Sequence, residues 1–257
     1  MDHRRERLHL GIGPIGPEQP KGTDMDVKGS TALVTGANRG LGRAVVEELL
    51  RRGAAKVYAG ARDPRSVEAT DPRVVAVRLD VTDAASIYAV ADRATDVDLV
   101  ANNAGISDGT SVFGPDGVES LRRQLETNTL GPLQVTRAFA PTLEANGGGA
   151  VVNVLSVLSW VTFPSTSGYS ASKAAAWSLT NATRGELRAQ GTQVVGVHVG
   201  YLDTDMAAGV DGPKTDPADL AGQVLDAVQS GADEVLGDDL SRGVKATLSG
   251  DVAALSA

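Results

Sequence analysis

The amino-acid sequence predicts a single-domain α/β protein in which a doubly wound parallel sheet lies between two layers of helices, a three-layer α/β/α arrangement. Three observations support this fold class. Short apolar runs rich in Val, Leu and Ala show little alternation, as is typical of parallel strands covered on both faces. Helical stretches separate these runs, and such alternation produces parallel sheets with right-handed crossovers. The chain has 257 residues, 42% hydrophobic and 22% charged, which suits one unit of this kind.

The chain divides into a short extension and one domain. Residues 1–24 begin with charged side chains and become rich in Gly and Pro without a sustained apolar period, so we expect a flexible N-terminal extension. That extension is either a simple disordered tail or an arm that docks on the domain. Residues 25–257 carry all the predicted strands and helices and form the single domain.

The predicted elements follow one another from Thr31 onward. Thr31–Thr35 is the first strand, and Gly40–Arg52 is an amphipathic helix with Val45, Leu49 and Leu50 on its apolar side. Five more strands are predicted at Val57–Gly60, Val74–Leu79, Leu99–Ala101, Ala150–Leu155 and Val194–Val199. The intervening helices are predicted at 83–94, 117–145, 168–189 and 216–230, with a short helix and a loose tail in 239–257.

The composition excludes several classes of function. A net charge of −8 and a pI of about 4.9 provide no basic field for nucleic acid or an anionic membrane, so we expect a small-molecule partner. The absence of cysteine excludes disulfides and thiolate catalysis, and the three histidines are too dispersed for a metal site. No apolar run is long enough to span a membrane and no signal-peptide core is present, so we expect a cytoplasmic protein.

A glycine-rich segment lies directly between the first predicted strand and the first helix. Thr35–Gly42 reads T-G-A-N-R-G-L-G. Glycines here permit a tight turn and a close approach to a pyrophosphate, while the helix N-terminus offers free N–H groups and a favourable dipole. A simple turn is the alternative, but the strand-to-helix position favours a dinucleotide site. The residues expected to bind the dinucleotide here are Gly36, Asn38, Arg39, Gly40, Leu41 and Gly42.

The residues after the second strand indicate which dinucleotide binds. Many such sites have an acidic residue here for the ribose 2′-hydroxyl, whereas this chain has Arg62, and Arg39 adds a second guanidinium in the glycine segment. Two guanidinium groups suit a 2′-phosphate through charge-assisted hydrogen bonds. The sequence therefore predicts NADP(H) rather than NAD(H). Alternatively, both arginines are solvated surface residues, and the adjacent Asp63 could weaken the preference.

Further polar residues follow the third and fourth strands. Asp80 and Val81 follow the third, and the fourth leads into Asn102, Asn103, Ala104 and Gly105. Open α/β sheets bind ligands at the carboxyl ends of their strands. Asp80 alone is typical of a turn or helix cap, but in this company we expect Asp80 and Val81 beside the adenine. We expect Asn103, Ala104 and Gly105 to line the same groove.

A second group of residues suits proton transfer. Ser156 closes the fifth predicted strand, Tyr169 begins the next helix, and Lys173 lies four residues further on. Side chains at i and i+4 share one helix face, so the ammonium can favour the ionised form of the phenol. This matters because a free Tyr, with a pKa of about 10, is a poor base near neutrality. A Tyr and Lys at this spacing are often only a solvated pair. The presence of Ser156 and the glycine segment in the same chain favours a catalytic role for this pair.

These motifs together resemble the short-chain dehydrogenase/reductase family, in its compact single-domain branch with a Rossmann-type fold. The resemblance covers roughly residues 28–237 and includes five motifs in family order. They are the glycine segment at Thr35–Gly42, Asp80, N-N-A-G at 102–105, Asn128 in T-N-T-L-G, and Ser156 with Tyr169 and Lys173.

The resemblance implies a division of labour. Tyr169 would exchange a proton with the substrate oxygen, and Ser156 would hydrogen-bond that oxygen. Lys173 would bind the nicotinamide ribose and lower the pKa of Tyr169, and Asn128 would support a water that leads from Lys173 toward solvent. Tyr169 and Lys173 therefore count as both catalytic and cofactor-binding residues. The resemblance also implies a carbonyl reductase that uses NADPH, assembled as a homodimer or homotetramer through the helices at 117–145 and 168–189.

The chain departs from the family pattern after the sixth strand. Where the family usually has Pro-Gly, this chain has Val199 and Gly200. We expect Gly200 and Thr204 still to meet the nicotinamide, although without the proline the loop path is open. Tyr201 is equally suited to a substrate wall and to a structural role. The family's substrate lid corresponds to a short polar loop at about 206–215.

Apolar residues after Ser156 are candidates for the substrate wall, because so short a lid cannot enclose a large ligand. They are Trp160, Val161, Phe163 and Pro164, with plain packing as the alternative for Trp160.

Two other functions fit parts of the sequence. A non-catalytic NADP(H) sensor or scaffold could use the same fold, because a cofactor site does not guarantee chemistry. The presence of Asn128, Ser156, Tyr169 and Lys173 argues against it. Sugar-nucleotide epimerases and dehydratases can share the Tyr and Lys, but they resemble a longer branch with a G-x-x-G-x-x-G loop and a substantial C-terminal substrate domain, and this chain has neither.

Overall fold

The structure is a computed structural model that describes residues 25–250. The predicted extension at residues 1–24 and the end of the predicted tail lie outside the described residues. The strands are β1 Thr31–Thr35, β2 Lys56–Ala61, β3 Val74–Arg78, β4 Leu99–Asn102, β5 Ala150–Val154, β6 Gln193–His198 and β7 Glu234–Leu236. The α-helices are α1 Gly40–Arg51, α2 Ala84–Ala91, α3 Gly117–Leu125, α4 Gly131–Ala145, α5 Ser167–Leu187, α6 Pro217–Ser230 and α7 Asp239–Thr247.

Within residues 25–250 the strands form one seven-stranded sheet in the order β3-β2-β1-β4-β5-β6-β7, and every pairing is parallel. The predicted doubly wound Rossmann-type sheet is confirmed. The strand order reverses between β1 and β4, which creates the crevice where such sheets bind ligands. The sequence pattern missed β7 because it has only three residues, Glu234–Leu236, a length too short to show a period.

Two apolar layers cover the sheet. Ala32 and Val34 of β1 face the cluster that α1 and α6 complete, whereas Leu33 between them faces the cluster that α2 and α4 complete. All three side chains are fully buried. Successive residues of a strand point to opposite faces, so burial on both faces explains the lack of apolar alternation in the sequence.

The helix predicted over 117–145 is not one α-helix. A π-helical turn, Glu126–Leu130, separates α3 from α4, and the amide of Gly131 bonds the carbonyl of Glu126, five residues back. Pro132 has no N–H to pair with the carbonyl of Asn128, four residues earlier, so a regular α-helix would lose a hydrogen bond at that point. The other predicted boundaries differ from the structure by a few residues.

Residues 25–250 contain neither a membrane-spanning helix nor a metal-binding cluster. No helix in that range combines the length and the apolar character required to cross a bilayer. The same range contains no group of three or more His, Asp or Glu side chains arranged to hold a metal ion.

Candidate active site

The glycine segment forms the tight turn between β1 and α1. Gly36 and Gly40 have φ of +64° and +52°, values that favour glycine. At Gly42 the constraint is contact, since an added Cβ would lie 2.1 Å from the carbonyl oxygen of Gly36. Backbone conformation therefore favours glycine at positions 36 and 40, and close packing requires it at position 42. Because Arg39 makes no side-chain cap, the N-terminus of α1 is open toward the crevice.

Thr35 and Asn103 join this turn to the loop after β4. The Thr35 hydroxyl accepts hydrogen bonds from the amides of Asn103 and Ala104, both at 3.0 Å. Asn103 donates from its side chain to the carbonyls of Thr35 at 2.9 Å and Gly36 at 3.1 Å. Hydrogen bonds therefore join the glycine turn and the loop after β4 into one surface, which forms the floor of the crevice.

The arginines at the end of the crevice are exposed and have different partners. The Arg39 guanidinium lies 3.0 Å from Asp205, and the side chains are 69% and 79% exposed, so the pair contributes little to stability. Arg62 is also exposed. Asp63 is occupied by Arg65, which donates both its backbone N–H and its guanidinium to that carboxylate. The negative charge that could oppose an anion beside Arg62 is therefore locally neutralised.

Asp80 and Val81 lie in the turn after β3. The Asp80 carboxylate accepts hydrogen bonds from the amide and the hydroxyl of Thr82. These bonds, the amide foremost, and the positive charges of Arg62 and Arg78 hold the pKa of Asp80 below its usual range. Asp80 is not the cap of α2, because Asp83 fills that position.

Ser156, Tyr169 and Lys173 meet beyond the end of β5. This strand ends at Val154, two residues before Ser156, and α5 begins at Ser167, two residues before Tyr169. Ser156 caps the short 3-10 turn Val157–Ser159, where its Oγ accepts the amide of Leu158 at 3.1 Å. The Ser156 hydroxyl lies close enough to the Tyr169 phenol to lower its pKa. Lys173 donates from Nζ to the carbonyl of Val154 at 2.7 Å, and its ammonium lies 5.7 Å from the centre of the Tyr169 ring.

Burial controls the protonation of this set. It raises the pKa of Tyr169 to about 12, against the opposing effect of the hydrogen bond with Ser156. It also lowers the pKa of Lys173 to about 8. In the protein alone, loss of hydration outweighs the lowering of the Tyr169 pKa expected from Lys173, whose ammonium is directed to the Val154 carbonyl. At neutral pH the phenol is protonated.

Asn128 lies in the π-helical turn and is almost fully buried. Its side chain accepts the amide of Ile106 at 2.8 Å and donates to the Ile106 carbonyl at 2.9 Å and to the Ser172 hydroxyl at 3.0 Å. A Cβ at Gly105 would lie 3.2 Å from Asn128 Oδ1 and 3.8 Å from Lys173 Nζ. The side chain of Asn128 thus fixes the loop after β4 beside Lys173.

The loop after β6 closes the other side of the crevice. A Cβ at Gly40 would lie 3.1 Å from Thr204 Cγ2, so Thr204 faces the glycine turn. The amide of Thr215 bonds the carbonyl of Tyr201 at 2.8 Å, and Leu202 pairs with Thr215. The short predicted lid, about 206–215, therefore lies in a longer loop that is closed by the contacts of Tyr201 and Leu202 with Thr215.

Sequence reasoning missed His198. This residue is fully buried on β6, and its Nδ1 lies 3.1 Å from the carbonyl oxygen of Ser156, so Nδ1 carries the hydrogen. Burial lowers the pKa of His198 to about 4, and the uncharged ring forms no ion pair with Glu234, 3.8 Å from Nε2. Its place inside an apolar run gave no signal of this contact.

Trp160 belongs to the same packing group. Its ring stacks on His198 with centroids 3.8 Å apart and meets Trp177 edge to face at 6.1 Å. It is 9% exposed. Of the two roles considered for Trp160, the structure supports packing. Phe163 and Tyr201 remain available as wall residues, with 38% and 44% of their surfaces exposed.

The contacts therefore bring the sequence motifs together as one site at the carboxyl edge of the sheet. The glycine turn is bonded to the loop after β4, that loop to Asn128, and Lys173 to the end of β5. A crevice with an open helix N-terminus at one end and a Ser, Tyr and Lys set at the other is typical of dinucleotide-dependent oxidoreductases.

Comparison with known proteins identifies the family. The family model for short chain dehydrogenases matches residues 30–214. The chain is 36% identical over 198 residues to a cis-4-hydroxycyclohexanecarboxylate dehydrogenase from Sinomonas cyclohexanicum. The aligned residues cover 74% of this chain and 77% of that protein. This protein belongs to the short-chain dehydrogenase/reductase family.

Solved structures agree with this assignment. A short chain dehydrogenase from Burkholderia cenocepacia, in complex with NADP, superimposes with a TM-score of 0.86 and 41% sequence identity. The match covers 90% of this chain and 97% of the Burkholderia chain. A short chain dehydrogenase/reductase from Burkholderia phymatum, in complex with NAD, shares the fold with a TM-score of 0.77 and 24% identity over 88% of this chain and 93% of its own.

Proposed function

We propose that this protein is an NADP(H)-dependent oxidoreductase that transfers a hydride between the nicotinamide and a carbonyl or alcohol carbon, and that it works in the direction of carbonyl reduction. The observation that carries the proposal is the convergence of Ser156, Tyr169 and Lys173 beyond β5. The family of the chain supports the reaction class.

The residues of the crevice fit a bound dinucleotide. Gly42 and Gly105 leave little room for a side chain, and Arg39 makes no side-chain cap of α1, so the first N–H groups of that helix remain available for a pyrophosphate. Arg39 and Arg62, with Asp63 neutralised by Arg65, suit the 2′-phosphate of NADP(H). The remaining residues proposed to hold the cofactor are Gly36, Asn38, Gly40, Leu41, Asp80, Val81, Asn103, Ala104, Tyr169, Lys173, Gly200 and Thr204.

Proton transfer follows from the protonation states. When bound, the reduced cofactor supplies a hydride for the carbonyl carbon. With a pKa of about 12, Tyr169 holds its proton at neutral pH and can give it to the carbonyl oxygen as that oxygen becomes an alcohol. Ser156 donates a second hydrogen bond to the same oxygen and holds it in place. One hydride and one proton convert the carbonyl to a CH–OH group.

Lys173 and Asn128 act behind Tyr169. With a pKa of about 8, Lys173 is mostly protonated at neutral pH, so its ammonium stabilises the phenolate that proton transfer leaves behind. Its remaining N–H groups suit the ribose hydroxyls. Asn128, which fixes the loop beside Lys173, is proposed to support a water through which the phenolate regains its proton.

We further propose an alicyclic ketone or secondary alcohol as the substrate class. The loops after β5 and β6 present Phe163, Tyr201 and Met206, which are 38%, 44% and 56% exposed. Apolar side chains of this size suit a substrate with hydrocarbon surface around its oxygen. The relative from Sinomonas cyclohexanicum is named for a hydroxylated cyclohexane carboxylate.

The reaction is tested by NADPH consumption with a panel of cyclic ketones, aldehydes, quinones and 3-oxoacyl thioesters. For a responsive carbonyl, we expect Tyr169→Phe to reduce kcat by about 100-fold or more, with little change in NADPH affinity. Tyr88→Phe, at an exposed tyrosine on α2, is the matched control and should keep full activity. Unchanged turnover in Tyr169→Phe would refute the proposed chemistry, and NADPH binding without any turnover would favour a sensor or scaffold.

We also propose a homodimer or homotetramer formed through α3, α4 and α5, which cover the ranges 117–145 and 168–189. The family resemblance supports this assembly. Light scattering of the purified protein should give two or four times the chain mass, and a single chain mass would refute it.

A further inference from the structure

The peptide group between Val199 and Gly200 is held on both sides. Its carbonyl accepts hydrogen bonds from the amide of Val157 at 3.0 Å and from Ser156 Oγ at 3.5 Å. Its N–H donates to Asp238 Oδ2 at 2.7 Å. Because a peptide group is planar, a restraint on its N–H also fixes the direction of its carbonyl.

Asp238 is well placed to fix this peptide. It caps α7, where its other oxygen, Oδ1, accepts the amide of Ser241 at 2.7 Å. The preceding Gly237 donates its amide to the carbonyl of His198 at 2.8 Å, and a Cβ at Gly237 would lie 2.6 Å from Leu220 Cδ1. The carboxylate is therefore anchored to β6 and α7, and a charged acceptor makes a strong hydrogen bond to an amide.

The hydrogen bond between Gly200 and Asp238 is informative because the residue that precedes Gly200 is Val199 and not a proline. A proline there would fix φ and restrict the loop covalently, whereas Val199 leaves that freedom to the backbone. The bond from Gly200 to Asp238 provides a restraint from outside the loop. It joins residues 38 positions apart, on different elements of the fold.

We propose that Asp238 is a positioning residue that holds the Val199–Gly200 peptide, so that Gly200 is placed for the nicotinamide. The proposal rests on the proposed function for the role of Gly200. Asp238 touches neither substrate nor cofactor in this scheme. Its carboxylate provides the restraint on the loop that a proline at position 199 would otherwise supply.

The test separates positioning from helix capping. Ser is a good N-cap but too short to hold both partners, so Asp238→Ser keeps the cap of α7 and loses the bond to Gly200. We expect kcat with a responsive ketone to fall about 10- to 100-fold, as small misplacements of reacting groups do, with a much smaller effect on Tm. Asp239→Asn is the matched control, since Asp239 is fully exposed and pairs with Arg242, and its kcat should equal that of the wild type.

Two measurements distinguish positioning from a general loss of structure. In the cofactor-free protein, amide hydrogen exchange at Gly200 should accelerate in Asp238→Ser and remain unchanged in Asp239→Asn. Adding Val199→Pro to Asp238→Ser should restore most of the lost kcat. Unchanged exchange at Gly200, or unchanged kcat in Asp238→Ser, would overturn the proposal. If the wild type itself reduces no carbonyl, the proposed function fails, and the exchange experiment still decides whether Asp238 holds the peptide.

Discussion

The two sides of the crevice are held in place by different means. On the β1–β4 side, the glycine turn packs backbone against backbone, and Thr35 and Asn103 close it with hydrogen bonds to main-chain atoms. On the β5–β7 side, three buried or part-buried side chains, Lys173, His198 and Asp238, each hold a backbone group at or beyond the end of a strand. The first side therefore depends on glycines that leave no room for a side chain, whereas the second depends on side chains alone.

This difference determines how each side responds to substitution. A turn that depends on glycine tolerates no added atom, because the neighbouring carbonyl cannot move without opening the turn. A loop held by a side chain can adjust when its contact is altered, although its position becomes less exact. We therefore expect losses of folding and cofactor binding on the first side and losses of turnover on the second.

The largest contrast should come from alanine at one glycine on each side. In Gly42→Ala the new Cβ would lie 2.1 Å from a backbone oxygen, whereas in Gly200→Ala it would lie 2.9 Å from Asp238 Oδ2 and 3.0 Å from Leu240 Cδ2, both ends of side chains. We expect Gly42→Ala to lower the free energy of unfolding by at least about 3 kcal/mol and Gly200→Ala by about 1 kcal/mol. Urea unfolding measures both, and equal losses would contradict the comparison.

The second prediction concerns acid stability on the His198 side. The pKa of His198 in the folded protein is about 4, below its ordinary value of about 6.5. Between these values the unfolded chain binds a proton that the folded protein does not, so stability falls as pH drops through this window, by about 3 kcal/mol in total.

The measurement is urea unfolding from pH 7 to pH 4.5 for the wild type and His198→Gln. Burial raises the pKa of Asp98 to about 6, which changes stability in the opposite direction over nearly the same window, so only the difference between the two proteins reports on His198. The variant should be less stable at pH 7 and lose less on acidification. Parallel curves would show that His198 does not titrate in this way.

A third prediction tests Arg39 and Arg62, the two arginines on the β1–β4 side of the crevice. Arg39→Ala and Arg62→Ala should each lower the ratio of kcat/KM for NADPH to that for NADH by about 10-fold, because each removes a charged hydrogen bond to the 2′-phosphate. Arg93→Ala, at an exposed arginine just beyond α2, should leave the ratio unchanged. If both variants keep the wild-type ratio, the roles assigned to Arg39 and Arg62 are wrong.

The smallest effect should come from the pair that links the two sides. Arg39 and Asp205 are both largely exposed, so Asp205→Asn should leave Tm within about 2 °C of the wild type. Removal of a negative charge beside Arg39 should strengthen NADPH binding a few-fold in a titration at low salt. Weaker binding would indicate that Asp205 supports the position of Arg39 and does not compete for its charge.

The β1–β4 side of the crevice could be predicted from the sequence almost completely. Its glycines are close together in the chain, and the strand-to-helix context is visible in the local pattern. The helix spacing of Tyr169 and Lys173 was equally visible. Their placement beside Ser156 was not, because it depends on how the loop after β5 packs against α5, and the family resemblance supplied that expectation.

What the sequence by itself determined was the fold class, the glycine turn and the identity of the polar residues at the strand ends, because these follow from local periodicity and short spacing. The tertiary structure decided the rest. The bond from His198 to Ser156 joins residues 42 positions apart, and the one from Gly200 to Asp238 joins residues 38 apart. Burial, which no local pattern measures, raised the pKa of Tyr169 where its lysine neighbour had suggested a decrease.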